Sequence, residues 1–235
     1  MKETGVALIM VLLVTSLLST LALGLAVMVS TTQLAEGHFG ETMAMLYAAE
    51  AGVELAAHDL AQSADWDLVL SGSESGTITD GPATGVRNIP AGGRVSLSIE
   101  TNQLNCGKAS SCTVAQMNAN SRERPWGENN ARWQLFEYGS VPSLNAFARP
   151  GPWYLLVWVA DDSRETDGNP LADGAAADHR GRGILRVRAE VYGASGARRA
   201  IEAELARSCR SDGGADVCQP GIRVQSWQEL RQLIP

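Results

Sequence analysis

Residues 6–29 read VALIMVLLVTSLLSTLALGLAVMV, and this run decides the architecture. Its only non-apolar positions are Thr15, Ser16, Ser19, Thr20 and Gly24, and no charge separates Glu3 from Glu36. About 24 helical residues rising ~1.5 Å each span roughly 36 Å, enough to cross the hydrocarbon core of a bilayer. A cleaved secretory signal has an apolar centre of about 7–15 residues followed by a small-residue cut site. Here apolar character runs on past Gly24-Leu25-Ala26 through Val29, so the segment reads as a retained helix. Ser16, Thr20 and Gly24 recur every fourth residue, a small-residue strip of the kind along which membrane helices approach each other.

Working outward, Lys2 precedes the run while Glu36 and Glu41 follow it. The positive-inside bias therefore puts the short amino-terminal end in the cytoplasm and the remainder of the chain across the membrane. With 235 residues and 45% hydrophobic composition, one membrane helix and one globular head are accommodated. A formal net charge of −7 and a pI near 5.0 argue against a general nucleic-acid binder, which needs a basic surface to displace phosphate counterions.

Two segments carry a family resemblance. Gly5-Val6-Ala7-Leu8-Ile9-Met10 opens the apolar run behind a five-residue charged leader, and Leu46-Tyr47-Ala48-Ala49-Glu50-Ala51-Gly52-Val53-Glu54 follows it at the far end of one uninterrupted helix. Together they resemble the amino-terminal quarter of PilX-type minor pilins of type IV pili, in the pilin and pseudopilin superfamily. That resemblance implies a prepilin peptidase that cuts after Gly5 and methylates Val6 as the new amino terminus. The fifth mature residue in such proteins is usually a glutamate that neutralises a neighbouring subunit's terminus, and here it is Met10. An unpaired buried amine is costly, so a subunit lacking the acid suits an initiating or tip position better than repeated stacking along a shaft.

Beyond the membrane segment, Phe39, Met43, Leu46, Val53 and Leu60 define a helical stripe, with Ala49 and Ala56 in its gaps. Gly37 and Gly40 mark an expected bend near the membrane exit. The organisation is then a leader at 1–5, a long helix at 6–62 (membrane-spanning over 6–29, amphipathic over 33–62), a linker or wrap at 63–93 rich in Ser, Gly, Thr and Pro, and a β-rich head at 94–235. The expected class is α+β: a long amino-terminal transmembrane and amphipathic helix packed on a carboxy-terminal antiparallel sheet, a pilin-like layout.

In the head, strands are expected at Arg94–Thr101, Arg132–Tyr138 and Trp153–Ala160, the last nearly all apolar and so interior to its sheet. A hairpin is expected from Ile184–Tyr192 to Ala197–Ala206 around Ala194-Ser195-Gly196, with Gly196 supplying a positive φ. If Gly193 stands opposite Ala197, Arg188 meets Glu202 and Arg186 meets Glu204 on an exposed face, while Leu185, Val187, Ala189 and Val191 point inward. Ser226-Trp227-Gln228-Glu229 has the form of a capping box, opening a short helix to Leu233 after a strand-like Ile222-Arg223-Val224. Trp227 and Leu230 then cover an edge of the head or face a partner. Cys106, Cys112, Cys209 and Cys218 form an even set in an exported domain; of the three pairings, the local ones, 106 with 112 and 209 with 218, are favoured.

Catalytic constellations are not evident. His38, His58 and His179 are scattered, and Gly72-Ser73-Glu74-Ser75-Gly76 has glutamate where a nucleophile elbow requires serine. The one candidate for bound chemistry is acidic: Asp161, Asp162 and Asp167 as oxygen ligands for calcium, within a loop that also carries Glu165, Asp173 and Asp178 but lacks EF-hand spacing. Eight arginines from Arg180 to Arg210 invite a DNA-capturing patch, against which Glu190, Glu202 and Glu204 offer partners across the strands.

The expected function is an assembly protein rather than an enzyme: a minor pilin that initiates or tips a type IV pilus, with an adhesive role among the implied possibilities. Its implied partners are major and other minor pilins, prepilin peptidase, the inner-membrane assembly platform and the lipid bilayer. It would reside in the inner membrane with a periplasmic head, then in the fibre. Two rivals stay open: the K-type minor pseudopilin of a type II secretion system, which also commonly lacks the acid, and a single-pass envelope protein whose head binds a ligand.

Overall fold

The apolar run and the alanine-rich stretch behind it form one helix. The computed structural model describes residues 4–120, 130–141, 151–165, 168–174, 183–207, 209–212, 215–218 and 221–230, and in it α1 spans Thr4–Gln62. The chain divides into two compact units, Met1–Met43 and Ala44–Pro235.

In the first unit, every side chain from Val6 to Val29 is exposed. The hydroxyls of Thr15, Ser16, Ser19 and Thr20 donate to carbonyls three or four residues back, as do those of Ser30, Thr31 and Thr32. Each polar group in the apolar run is thus satisfied within the helix, which is what lipid surroundings demand. Among the described residues this is the one helix long and apolar enough to cross a membrane. Gly37 and Gly40 are helical and do not interrupt it. Phe39, expected to face a head, is 68% exposed.

The second unit is built on a five-stranded antiparallel sheet. Its strands are β3 (Gln134–Ser140), β4 (Tyr154–Asp161), β5 (Ile184–Tyr192), β6 (Arg198–Ala206) and β9 (Arg223–Leu230), in the order β3-β4-β5-β6-β9. The fold is therefore α+β, a long helix with an antiparallel sheet. β4 is interior and buried on both faces along its whole length, as its unbroken apolar sequence requires.

One face of the sheet receives the carboxy-terminal part of α1. Met45, Ala48, Ala49, Val53, Ala56 and Leu60 are buried there with Leu155, Val157, Val187, Ala189, Val191, Ile201 and Leu205. The buried face is centred on the small residues rather than on Leu46, which is only partly covered. Ala48, Ala49, Gly52 and Ala56 allow the helix backbone to lie close to the strands. α2 (Trp66–Leu70), opened by Asp65 accepting from the Asp67 amide, adds Trp66, Val69 and Leu70 to this core.

The opposite face is also covered. Leu97, Val95, Ile89 and Trp133 pack there on Tyr138, Tyr154, Leu156 and Trp158. The region 63–93 contributes through α2 and through β1 (Val86–Asn88), which pairs with β2 (Arg94–Ser96). The stretch read as a strand from Arg94 to Thr101 turns helical at Leu97: α3 runs Leu97–Cys106 and ends on Gly107 in the left-handed conformation. Val95, Leu97 and Ile99 alternate as in a strand, but the Thr101 hydroxyl bonds back to the Leu97 carbonyl and also accepts from the Trp158 indole. That tertiary anchor and a Cys106–Cys112 disulfide fix the helix and lead to α4 (Val114–Asn120).

The β5–β6 hairpin has the expected register, with Arg188 opposite Glu202 and Arg186 opposite Glu204. The Gly193 amide donates to the Ala197 carbonyl at 2.8 Å, and both Ser195 (φ 54°) and Gly196 (φ 79°) occupy the left-handed region. Over its described residues, 226–230, the expected carboxy-terminal helix is not formed. Residues 223–230 are instead β9, with Trp227 opposite Ala203, because a free edge on β6 offers backbone partners that outweigh a local cap. A bulge interrupts this pairing between Glu204 and Leu205, and Trp227 stays 46% exposed. β7 (Cys209–Asp212) and β8 (Ala215–Cys218) pair with Cys209 opposite Cys218; their side chains, and so the second expected disulfide, lie outside the described residues.

A Cβ on Gly52 would stand 2.8 Å from Leu155 Cδ1 and 3.3 Å from the Ala189 Cβ, whereas one on Gly40 meets nothing within 4 Å. Gly52→Leu is expected to destabilise the head by about 1–3 kcal/mol through overpacking, with Gly40→Leu leaving its melting temperature unchanged. Equal thermal melts for the two variants would show that this helix face is not in tight contact.

Candidate functional site

The sequence points to two places: the amino-terminal end of α1 and the acidic loop after β4. Gly5 lies in the first turn of α1, and Val6 and Met10, four residues apart, share a face of it with 57% and 63% exposure. With no acidic residue between Glu3 and Glu36, this end of the helix offers nothing but hydrocarbon and internally bonded hydroxyls.

The acidic loop is engaged within the protein. The Asp161 carboxylate accepts from the Asp162 amide at 2.8 Å, and Asp162 Oδ1 accepts from Arg164 through both its amide and its guanidinium. Arg164 continues to Glu204 at 3.0 Å, so Glu204 is drawn to the loop rather than to Arg186. Asp173 accepts from the Gly183 amide at 2.7 Å and from Arg207 at 3.0 Å, and the Arg207 guanidinium lies 4.0 Å from the Trp66 ring centroid. Burial nonetheless pushes Asp173 up to about 6. Asp167 lies outside the described residues, and among those described no group of three or more His, Cys, Asp or Glu side chains is placed to hold a metal ion.

The arginines are partnered too. On the face of the sheet away from α1, Arg186 pairs with Glu202, Arg188 with Glu190 and Glu202, and Arg198 with Glu190 and Glu100. The Tyr192 hydroxyl donates to Glu190 at 2.7 Å, while Arg186 and Arg198 lie over the rings of Trp133 and Tyr192. Glu190 is fully buried, so this face is not the exposed ladder the alternation implied. Three arginines and three glutamates compensate one another, as desolvated charge requires. Arg180, Arg182 and the Arg210 side chain lie outside the described residues.

Asp80 forms a third polar centre, accepting from the Tyr154 hydroxyl at 2.7 Å and from Arg87 at 2.8 Å. With the Tyr138 hydroxyl donating to the Gly81 carbonyl, it fastens the region before β1 to the sheet.

The sequence reading missed a buried acid. A bulge between Leu135 and Glu137 puts Glu137 opposite Val157, on the side of the sheet that meets α1. The adjacent apolar pair Leu135-Phe136, which breaks the strand's alternation, was its signal. Glu137 is fully buried, and neither oxygen makes a geometrically complete hydrogen bond. Burial first, and then the neighbouring Asp59 carboxyl of α1, pushes it up to about 9. Asp59 accepts from the Thr77 amide, and a Cβ on Gly76 would fall 2.4 Å from Glu137 Cγ, so residues 76–77 close over the pair.

Comparisons with protein-family models, curated proteins and solved structures find no match to this chain.

Glu137 keeps its proton in the folded protein up to about pH 9, whereas an unfolded glutamate releases it near 4.5. Its contribution to stability is full below the lower value and is lost as pH rises through the upper one. The melting temperature of the wild type should fall between about pH 5.5 and 8.5, and Glu137→Gln should flatten that slope and melt higher at the alkaline end. Parallel profiles for the two proteins would remove Glu137 as the cause.

Proposed function

We propose that the chain is a minor pilin, a structural assembly subunit of a type IV pilus or a closely related fibre. The observation that carries this reading is the double use of α1. One uninterrupted helix presents a fully exposed apolar surface over Val6–Val29 and then supplies a face of the head's core from Met45 to Leu60. A simple membrane anchor has no need to be continuous with the folding core of the domain it holds.

The chemistry of assembly follows from that arrangement. An apolar helix held in a bilayer can pass to the centre of a helical bundle without meeting water, because both surroundings lack it and its hydroxyls are already bonded internally. Gly5 is the proposed cut and Val6 the proposed mature terminus. Met10, in place of the usual acid, offers no countercharge to a neighbour's terminal amine, which favours an initiating or tip subunit. The inner membrane, with the head in the periplasm, is the proposed location before assembly. The K-type pseudopilin of type II secretion shares the missing acid and is the second reading.

Mass spectrometry of the protein from cells that possess prepilin peptidase is expected to show a chain beginning at methylated Val6, and Gly5→Leu should leave the leader in place. An intact Met1 in those cells would defeat the proposal. Met10→Glu is expected to raise the share of the protein found along sheared fibres by immunoblot; an unchanged share counts against the tip assignment.

A further inference from the structure

We propose that the head carries a binding site for a small organic carboxylate with an apolar body, in the open cavity of about 510 Å³ where Arg132 meets α3, α4 and residues 168–171. The carboxylate would be received by the Arg132 guanidinium.

Arg132 is the most deeply buried of the described arginines that the head's charge pairing leaves out. It is 6% exposed, yet it forms no ion pair among the described residues. Its Nη2 donates to the Asn118 side-chain carbonyl, while Nη1, sealed from solvent, meets no hydrogen-bond partner. Arg186, Arg188, Arg198 and Arg207 each face a carboxylate, and Arg199, which does not, is only half-buried and reaches the Arg198 carbonyl. Burying a guanidinium with an idle N–H and no countercharge among the described residues is costly, and burial draws its pKa down. An anion delivered from outside to the side of the guanidinium that lines the cavity would supply the countercharge.

The surroundings are built around this group. Asn105 of α3 clamps the next residue, accepting from the Trp133 amide at 2.8 Å and donating to the Trp133 carbonyl at 2.9 Å. The Cys106–Cys112 disulfide closes the turn between Asn105 and Val114, so both walls of the cavity are covalently tied. Val114, Met117 and Leu171 give the lining an apolar side, and Val114 is 64% exposed at present. A cavity of this size lies within the range for small-molecule sites, roughly 300–1,000 Å³. One positive charge without a carboxylate among the described residues matches a monoanion; a phosphate dianion would leave a negative charge unpaired in the same place.

Thermal melting of the full-length protein in detergent micelles tests the site with benzoate, hexanoate and indole-3-acetate as probes. At about ten times its Kd, a binding carboxylate should raise the melting temperature by about 3–6 °C. Benzyl alcohol and sodium chloride at matched concentration should not. Two variants separate the site from the fold. Arg132→Leu should melt at or above the wild-type temperature without ligand, because it removes an uncompensated charge, and should lose the response. Val114→Trp fills the apolar side without touching Arg132 and should lose it as well. No shift with any of the three carboxylates, a shift that survives in Arg132→Leu, or a larger shift with inorganic phosphate would overturn the proposal.

Discussion

The closeness of α1 to the sheet is the constraint on which the head depends. Gly52 lies where a single added carbon would press on Leu155, and Ala48, Ala49 and Ala56 continue the small surface along the helix. Because the contact is backbone-close, the larger residues of this core come mainly from the strands and from α2, with Trp66 wedged beside Leu60, whose carbonyl accepts from its indole. The alanine-rich stretch is therefore a packing surface, in addition to whatever it signals about kinship.

The other side of the sheet obeys a different rule. Its aromatic residues are interleaved with ionised ones, and those charges are tolerated because they close on one another: Glu190 takes two arginines and a tyrosine hydroxyl at once. The sheet thus separates an apolar core from a charge-compensated one. Glu137 is the exception, a carboxyl directed by a bulge into the apolar side, and it stays there by remaining protonated beside Asp59. Its proton couples α1 to β3 over a far narrower range of conditions than hydrophobic contact alone would.

Legibility in the sequence followed the range of the interactions. The membrane-length run, the buried β4 and the register of the β5–β6 hairpin depend on residues near one another in the chain, and each was readable from hydropathy or alternation. Residues 97–101 and 226–230 were misread for a shared reason. In both, the local pattern was overruled by a distant partner: Trp158 holding Thr101 in one, the open edge of β6 in the other. Arg132 could not be singled out, since what distinguishes it is the lack of a carboxylate among its described surroundings, a property of the fold, whereas the break in alternation at Leu135-Phe136 was the one local trace of Glu137. The stripe held at Ala49, Val53, Ala56 and Leu60 but not at Phe39, because periodicity names a face but not where along a helix that face begins to be covered.

The bulge opposite Leu205 has a consequence for life at high local concentration. β9 forms an outer edge of the sheet, and an edge of straight, regular strand is a template on which a second chain can add. The shift between Glu204 and Leu205 breaks the even spacing of β9, and Arg223 and Glu229 set opposite charges near its two ends. Another copy approaching this edge meets a distorted row of amides and carbonyls and has to desolvate ionic groups to use it. Crowded heads are thereby discouraged from pairing through the β9 edge.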